Sequence, residues 1–126
     1  QLTSHNTETS LVLALNYSAR WEIIDAVKTI AKAAKNNEVD IDKIDTDFFS
    51  NALTTKNIPD PELVIRTSGE QRISNFLLWQ IAYSEFYFTD ILWPDFKKET
   101  LFEAVYDFQA RERRFGMVSE QISKNL

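Results

Sequence analysis

The sequence contains no cysteine, one histidine, two glycines and three prolines. Without cysteine there is no disulfide framework, no thiolate metal site and no thiol nucleophile, and the chain fits a reducing cytosol. A single histidine, His5 in a polar lead-in, leaves no basis for a histidine-built metal centre. So few glycines exclude a phosphate loop or a G-x-G-x-x-G dinucleotide turn, and together with the few prolines they argue against a loop-rich or low-complexity chain. No apolar run approaches the roughly 20 residues needed to span a bilayer, and no basic-then-apolar leader is visible. The net charge of −5 disfavours a broad nucleic-acid surface, which needs clustered Lys and Arg, but leaves room for a small anion pocket.

What is present suffices for one folded domain over residues 1–126. Hydrophobic residues make up 44% of the chain, with nine Phe, four Tyr and three Trp. The chain begins with Gln1 instead of Met, which implies processing or a piece of something longer. Leu11 to Asn16 (LVLALN) is a short apolar run of the kind buried on both faces of a parallel sheet. From about Ala19 to Ala34, Trp21, Ile24, Val27 and Ala31 recur at three- and four-residue spacings, an amphipathic helix ended by Asn36-Asn37. A short helix is expected around Asp47 to Leu53, and Pro59 and Pro61 enforce an extended entry to the next element.

Leu63 to Arg66 (LVIR) reads as a second buried strand, followed by a polar turn, Thr67 to Arg72. Ser74-Asn75 supplies cap chemistry for a helix starting at about Phe76. Phe86 to Phe88 is a short aromatic strand, Trp93-Pro94-Asp95-Phe96 a turn, and about Lys98 to Arg114 a final helix. Alternating strands and helices predict an α/β fold: a mostly parallel sheet with flanking helices. Three short strands make a thin sheet, which again suggests part of a larger fold.

The most informative stretch runs Arg66-Thr-Ser-Gly-Glu-Gln-Arg-Ile-Ser-Asn. It follows the C-terminal end of a strand, where open α/β sheets place their ligands. Arg66 and Arg72 flank a glycine-containing turn, and Ser74 opens the expected helix. Guanidinium forks grip phosphate oxygens in pairs, and a helix N-terminus favours an anion, so these residues suggest a diphosphate cradle. The same arginines also admit a purely structural reading, as surface charges paired with Glu70 or Glu62, with Ser74 only capping a helix.

Glu85 stands within Trp79-Gln-Ile-Ala-Tyr-Ser-Glu-Phe-Tyr-Phe, an apolar segment in which a carboxylate needs a metal ion or an Arg as partner. A strand-edge Glu facing solvent is the simpler alternative. Asp90 and Asp95 are weaker metal candidates, explained by turn formation. Arg111, Arg113 and Arg114 close the last helix before Gly116, where cations offset the helix dipole and Gly serves as a cap.

The run from Leu63 to Glu85, followed by Phe-Tyr-Phe-Thr-Asp-Ile-Leu-Trp-Pro-Asp-Phe, closely resembles the C-terminal signature of cis-prenyltransferases, with an especially close match to bacterial undecaprenyl diphosphate synthases. Ala14-Leu-Asn-Tyr, Arg20-Trp-Glu-Ile and Arg111-Glu-Arg-Arg-Phe-Gly agree too, so the resemblance spans about residues 11–116. It implies the C-terminal part of the cis-prenyltransferase fold and condensation of isopentenyl diphosphate with an allylic (farnesyl) diphosphate. The product would be undecaprenyl diphosphate, the lipid carrier of cell-wall synthesis. By the same resemblance, Arg66, Arg72 and Ser74 hold the isopentenyl diphosphate, Glu70 lies beside it, and Glu85 helps place Mg2+. Arg114 and Gly116 match an arginine–any–glycine motif reaching across a homodimer toward the neighbouring site. Asn16 matches an asparagine at the end of a central strand. Ser18-Ala19 replaces a frequent Gly-Gly, and Gln71 stands where many relatives have His, so Gln71 is at most a binding contact.

The family's Asp-Gly-Asn-Gly-Arg-Trp motif, whose Asp serves the allylic site and Mg2+, does not occur in the sequence. The expectation is that this chain alone is inactive and that activity belongs to a longer, cytoplasmic protein touching the membrane peripherally through its lipid product. The aromatic segment 79–96 and the final helix are expected to contribute to the dimer interface. Two other readings are a non-catalytic partner subunit and an unrelated anion-binding α/β module. The intact Arg66, Arg72, Ser74 and Glu85 count against the first, and the missing glycine motifs against the second.

Overall fold

A computed structural model of the chain describes residues 4–111. Helix α1 spans Ala19–Lys35, α2 Thr46–Ser50 and α3 Lys98–Ala110; strand β1 spans Leu63–Arg66 and β2 Glu85–Phe88. Two single 3-10 turns, Ile41–Lys43 and Trp93–Asp95, lie in the connections. The strands pair in parallel, with Leu63 opposite Glu85 and Arg66 opposite Phe88. The parallel α/β arrangement expected from the alternation is therefore present, with α3 packed on β2.

α1 starts where Ser18 turns extended (φ −145°) and its hydroxyl accepts from Trp21 N at 3.4 Å. It ends at Asn36, followed by Asn37 at φ 57°, a left-handed residue that Asn tolerates. Its buried residues are Ala19, Glu22 and Ala26, while Trp21, Ile24 and Val27 are exposed. The periodicity finds the helix but not the face that packs within this chain. A polar group decides that face: the Glu22 carboxylate accepts from Tyr17 Oη at 2.5 Å, Thr54 N at 3.0 Å and Gln80 Nε2 at 3.1 Å, and from the Thr54 hydroxyl.

Two expected elements are absent. Leu11 to Asn16 is not a strand; Leu11, Val12, Leu13 and Leu15 are all exposed. A strand needs a ladder partner for its N–H and C=O groups, and among the described residues β1 and β2 pair only with each other. The helix expected from Phe76 is replaced by a series of turns, because Ser74 (φ 48°), Asn75 (φ 61°) and Leu77 (φ 49°) are all left-handed. Trp79 pins this segment, donating to Ser50 Oγ at 2.9 Å and packing on Phe49 with centroids 4.5 Å apart. The fully buried apolar set is small, Ala19, Ala26, Leu53, Ile81 and Ala104, whereas many large apolar side chains lie open.

Candidate anion-binding site

Parallel pairing and the two-residue period of a strand sort the sheet's side chains onto two faces. Val64 and Arg66 share one face with Phe86 and Phe88, whose rings stack at 5.8 Å. Leu63, Ile65, Glu85 and Tyr87 alternate with them, and on that side Glu85 meets Arg111 at the end of α3. On the first face lies a cavity of about 270 Å3, lined by Arg66, Arg72, Phe76, Ile81, Phe86 and Phe88 among others. Two guanidiniums thus open onto one mostly apolar pocket. Arg66 Nε is buried with no hydrogen-bond partner, whereas buried donors are almost always paired. Arg66 also lines a second, wider cavity of about 570 Å3, with Thr67, Trp93, Phe96, Lys97 and Lys98. Positive charge therefore gathers around Arg66 in a chain of net charge −5.

The turn between the arginines is held by main-chain bonds. Ser68 N donates to Ile91 O and Gly69 N to Thr89 O, both at 2.9 Å, and Thr89 N donates to Arg66 O at 3.0 Å. Gly69 takes φ +67°, a conformation that favours glycine, and a Cβ there would meet Asp90 Oδ1 at 2.9 Å, so the Asp90 side chain would have to shift. Beyond it, Glu70 sits against Arg72 in an ion pair, the structural alternative raised for these residues. The pairing leaves the Arg72 side chain 68% exposed.

Arg66 and Arg72 converge on the cavity, with Glu70 beside Arg72. Ser74 does not line it, and no helix N-terminus stands there, because the left-handed residues at 74, 75 and 77 prevent one. Gln71 is exposed, and Asn16, at φ 56°, ends no strand. Arg113, Arg114 and Gly116 lie outside the described residues.

Glu85 stands on the opposite face and at the opposite end of the two-stranded sheet from Arg66, three residues or roughly 10 Å along the strands. Its partner is Arg111, whose Nη1 lies 2.9 Å from Glu85 Oε2. Of the two partners expected for this carboxylate, the described structure supplies the Arg. Among the described residues no three His, Cys, Asp or Glu side chains gather to hold a metal. The Mg2+ that the resemblance implies therefore finds no complete ligand set here, since Glu85 is a single carboxylate already bound and turned away from the arginine cavity.

Sequence reasoning missed the Glu22 cluster and the grip of Arg111. Burial raises the Glu22 pKa, but hydrogen bonds from Thr54, Tyr17 and Gln80 outweigh it and hold the carboxyl below its usual range. Burial, with Glu22 adding to it, drives the Tyr17 phenol up. The one available signal was a Glu inside an otherwise apolar helical stripe. No such pattern marks Thr54 or Gln80, which come from distant segments.

Comparison with known proteins gives the family of the chain. A family model for undecaprenyl diphosphate synthase matches residues 1–116. A ditrans,polycis-undecaprenyl-diphosphate synthase ((2E,6E)-farnesyl-diphosphate specific) of Coxiella burnetii is 50% identical over 123 residues, 98% of this chain and 52% of that protein. The similarly named Micrococcus luteus protein is 54% identical over 114 residues, 90% of this chain and 46% of its own length. A crystal structure of lavandulyl diphosphate synthase from Lavandula x intermedia, in complex with dimethylallyl diphosphate, superposes with a TM-score of 0.84. It shares 41% identity and covers 91% of this chain and 50% of that one. The chain thus spans about half the length of the curated relatives it matches. With the parallel α/β fold and the family match over residues 1–116 in agreement, this chain belongs to the undecaprenyl diphosphate synthase family of prenyltransferases.

Proposed function

We propose that the chain supplies the isopentenyl diphosphate side of a cis-prenyltransferase. The enzyme joins that substrate to an allylic (farnesyl) diphosphate, making undecaprenyl diphosphate, the lipid carrier for cell-wall synthesis. One observation carries the reading: Arg66 and Arg72 both line a single, mostly apolar cavity of about 270 Å3. A diphosphate there would meet the two arginines, and the aromatic walls would take up a short branched hydrocarbon. A cavity of this size is near the small end for ligand sites, which suits a five-carbon diphosphate.

In this reading Arg66 and Arg72 bind the diphosphate through paired N–H···O bonds and offset its charge. Arg72 gives up part of its contact with Glu70 to do so. Phe86, Phe88 and Ile81 hold the isopentenyl group and keep water from it. Anchoring one substrate at both ends fixes its double bond toward the second substrate, and such positioning is a large source of rate in two-substrate reactions. The alkene π-electrons form the new C–C bond at the allylic carbon, the allylic diphosphate leaves with the bonding pair, and a proton is lost to set the cis double bond.

The protein acts as a cytoplasmic homodimer in this proposal, touching the membrane peripherally through its lipid product. Exposed Trp93, Leu101, Phe102 and Tyr106 around α3 offer the apolar surface for self-association. No helix among the described residues is long and apolar enough to cross a membrane.

The test is calorimetric titration of the chain with isopentenyl diphosphate, alongside an Arg66→Ala/Arg72→Ala double variant. Saturable binding lost in the variant is expected. Binding that survives in the variant, or no binding by the parent chain, removes the arginine cavity as the diphosphate site.

A further inference from the structure

We infer that Glu85 and Arg111 form a positioning pair that holds the apolar wall of the arginine cavity from the opposite face of the sheet. Arg111 is the C-cap of α3, and its guanidinium serves three acceptors at once. Nη1 donates to Glu85 Oε2 and to Phe86 O, each at 2.9 Å, while Nη2 donates to Asp107 Oδ2 at 2.5 Å. A side chain and a main-chain oxygen at the start of β2 are thereby fastened to the last turn of α3. Only a planar fork with several fixed donors can make this set of bonds; a lysine ammonium cannot span it.

The strand alternation converts this tether into an effect on the cavity. Phe86 offers its carbonyl to Arg111 while its ring lines the cavity beside Phe88. β2 is four residues long, with β1 its one ladder neighbour among the described residues. Its start is held on that side by Glu85 N donating to Glu62 O at 2.9 Å and the Ser84 hydroxyl donating to Pro61 O, and on the α3 side by Arg111. Both arginines of the cavity come from β1 and the following turn, whose main-chain bonds run to Thr89 and Ile91 beyond the far end of β2, away from the tether at its start. Loosening the pair therefore acts on Phe86 and the hydrocarbon wall more than on the diphosphate grip. The pair is about one-third exposed on both sides, 32% for Arg111 and 33% for Glu85, so its worth lies in orientation more than in Coulomb energy.

The inference rests on the diphosphate reading, and one experiment separates the two. Isopentenyl diphosphate and inorganic pyrophosphate are titrated in parallel into the parent chain and into Glu85→Ala, Glu85→Gln, Arg111→Ala and Arg111→Lys variants, with thermal midpoints recorded for each. Glu85→Ala and Arg111→Ala are expected to weaken isopentenyl diphosphate about tenfold and pyrophosphate less than about twofold. Glu85→Gln stays within about threefold of the parent, since its amide oxygen still accepts from Arg111. Arg111→Lys falls between parent and alanine variant, because it keeps the charge but fewer of the bonds. Equal losses for both ligands, or Glu85→Gln as harmful as Glu85→Ala while Arg111→Ala is harmless, would overturn the pair and return Glu85 to a charge or cation role. A parent chain that binds neither ligand defeats the diphosphate reading and the wall role with it. A parent that binds both, with variants keeping its ligand ratio, defeats the positioning pair alone.

Discussion

Asn75 closes the N-terminus of α1, its side-chain Oδ1 accepting from Arg20 N at 2.9 Å while its carbonyl accepts from Ala19 N at 3.0 Å. Its amide group also donates to Ser18 Oγ at 2.8 Å, so the cap residue of the helix is itself held in place. A residue 55 positions away in sequence thus satisfies a donor of α1 that has no acceptor within the helix. This bond joins the turn after Arg72 to the first helix.

Asn75→Ala is expected to cost about 2 kcal/mol, roughly half from the lost cap and half from placing Ala at a left-handed position (φ 61°). Urea unfolding followed by far-ultraviolet dichroism measures it. A change below about 0.5 kcal/mol would show that the cap is not made in solution. Asn75→Gly, which relieves the backbone but keeps no side-chain acceptor, separates the two halves.

The Glu22 carboxyl is held below its ordinary pKa of 4.5, so its stabilisation is complete above that value and is lost as pH falls through the lower, folded-state value. Acid titration of stability should therefore show a limb below about pH 5 that flattens in Glu22→Gln. Glu22→Ala, which strands Tyr17 Oη, Thr54 N and Gln80 Nε2, should cost about 3 kcal/mol at neutral pH. An acid limb identical in parent and Glu22→Gln would exclude Glu22 as its source.

Gly69→Ala brings a Cβ to 2.9 Å from Asp90 Oδ1 and imposes a left-handed φ on Ala. Loss of about 1–2 kcal/mol of stability and a weaker grip on isopentenyl diphosphate are expected, because Arg66 and Arg72 flank this turn. Adding Asp90→Ala removes the steric part and leaves the conformational part. No recovery in the double variant would mean that the clash is absorbed elsewhere.

Arg66→Lys keeps the charge but removes the fork that carries the unpaired Nε. Affinity for isopentenyl diphosphate should fall about tenfold, with a salt dependence close to that of the parent. Kd measured at two ionic strengths checks both. If Lys substitutes fully, charge alone binds the ligand.

The local elements were legible because their signals are local. LVIR followed by a polar turn is a strand leading to a loop in any context, and both α1 and α3 carry a helical period that survives in the structure. That Arg66 and Arg72 meet at one cavity was legible for the same reason, as they are six residues apart across one turn. Asn75 reads as a cap for a helix starting at about Phe76, which does not form; the helix it caps lies 55 residues upstream, and no pattern in a single sequence specifies that pairing. The helix expected after it fails because residues 74, 75 and 77 take left-handed conformations, Asn75 among them bonding to α1 through its carbonyl and its side chain.

The residues by themselves determined the parallel α/β character, the placement of β1 and the turn chemistry between the arginines, since each follows from side-chain period and backbone preference over a few residues. Only the tertiary structure decided which face each side chain meets. The register of β2 on β1 turns Phe86 toward the arginines and Glu85 toward Arg111, and a slip of one residue would exchange them. Period-two alternation makes a strand's two faces equivalent until a neighbour sets the register, and that neighbour lies too far along the chain for local preference to choose.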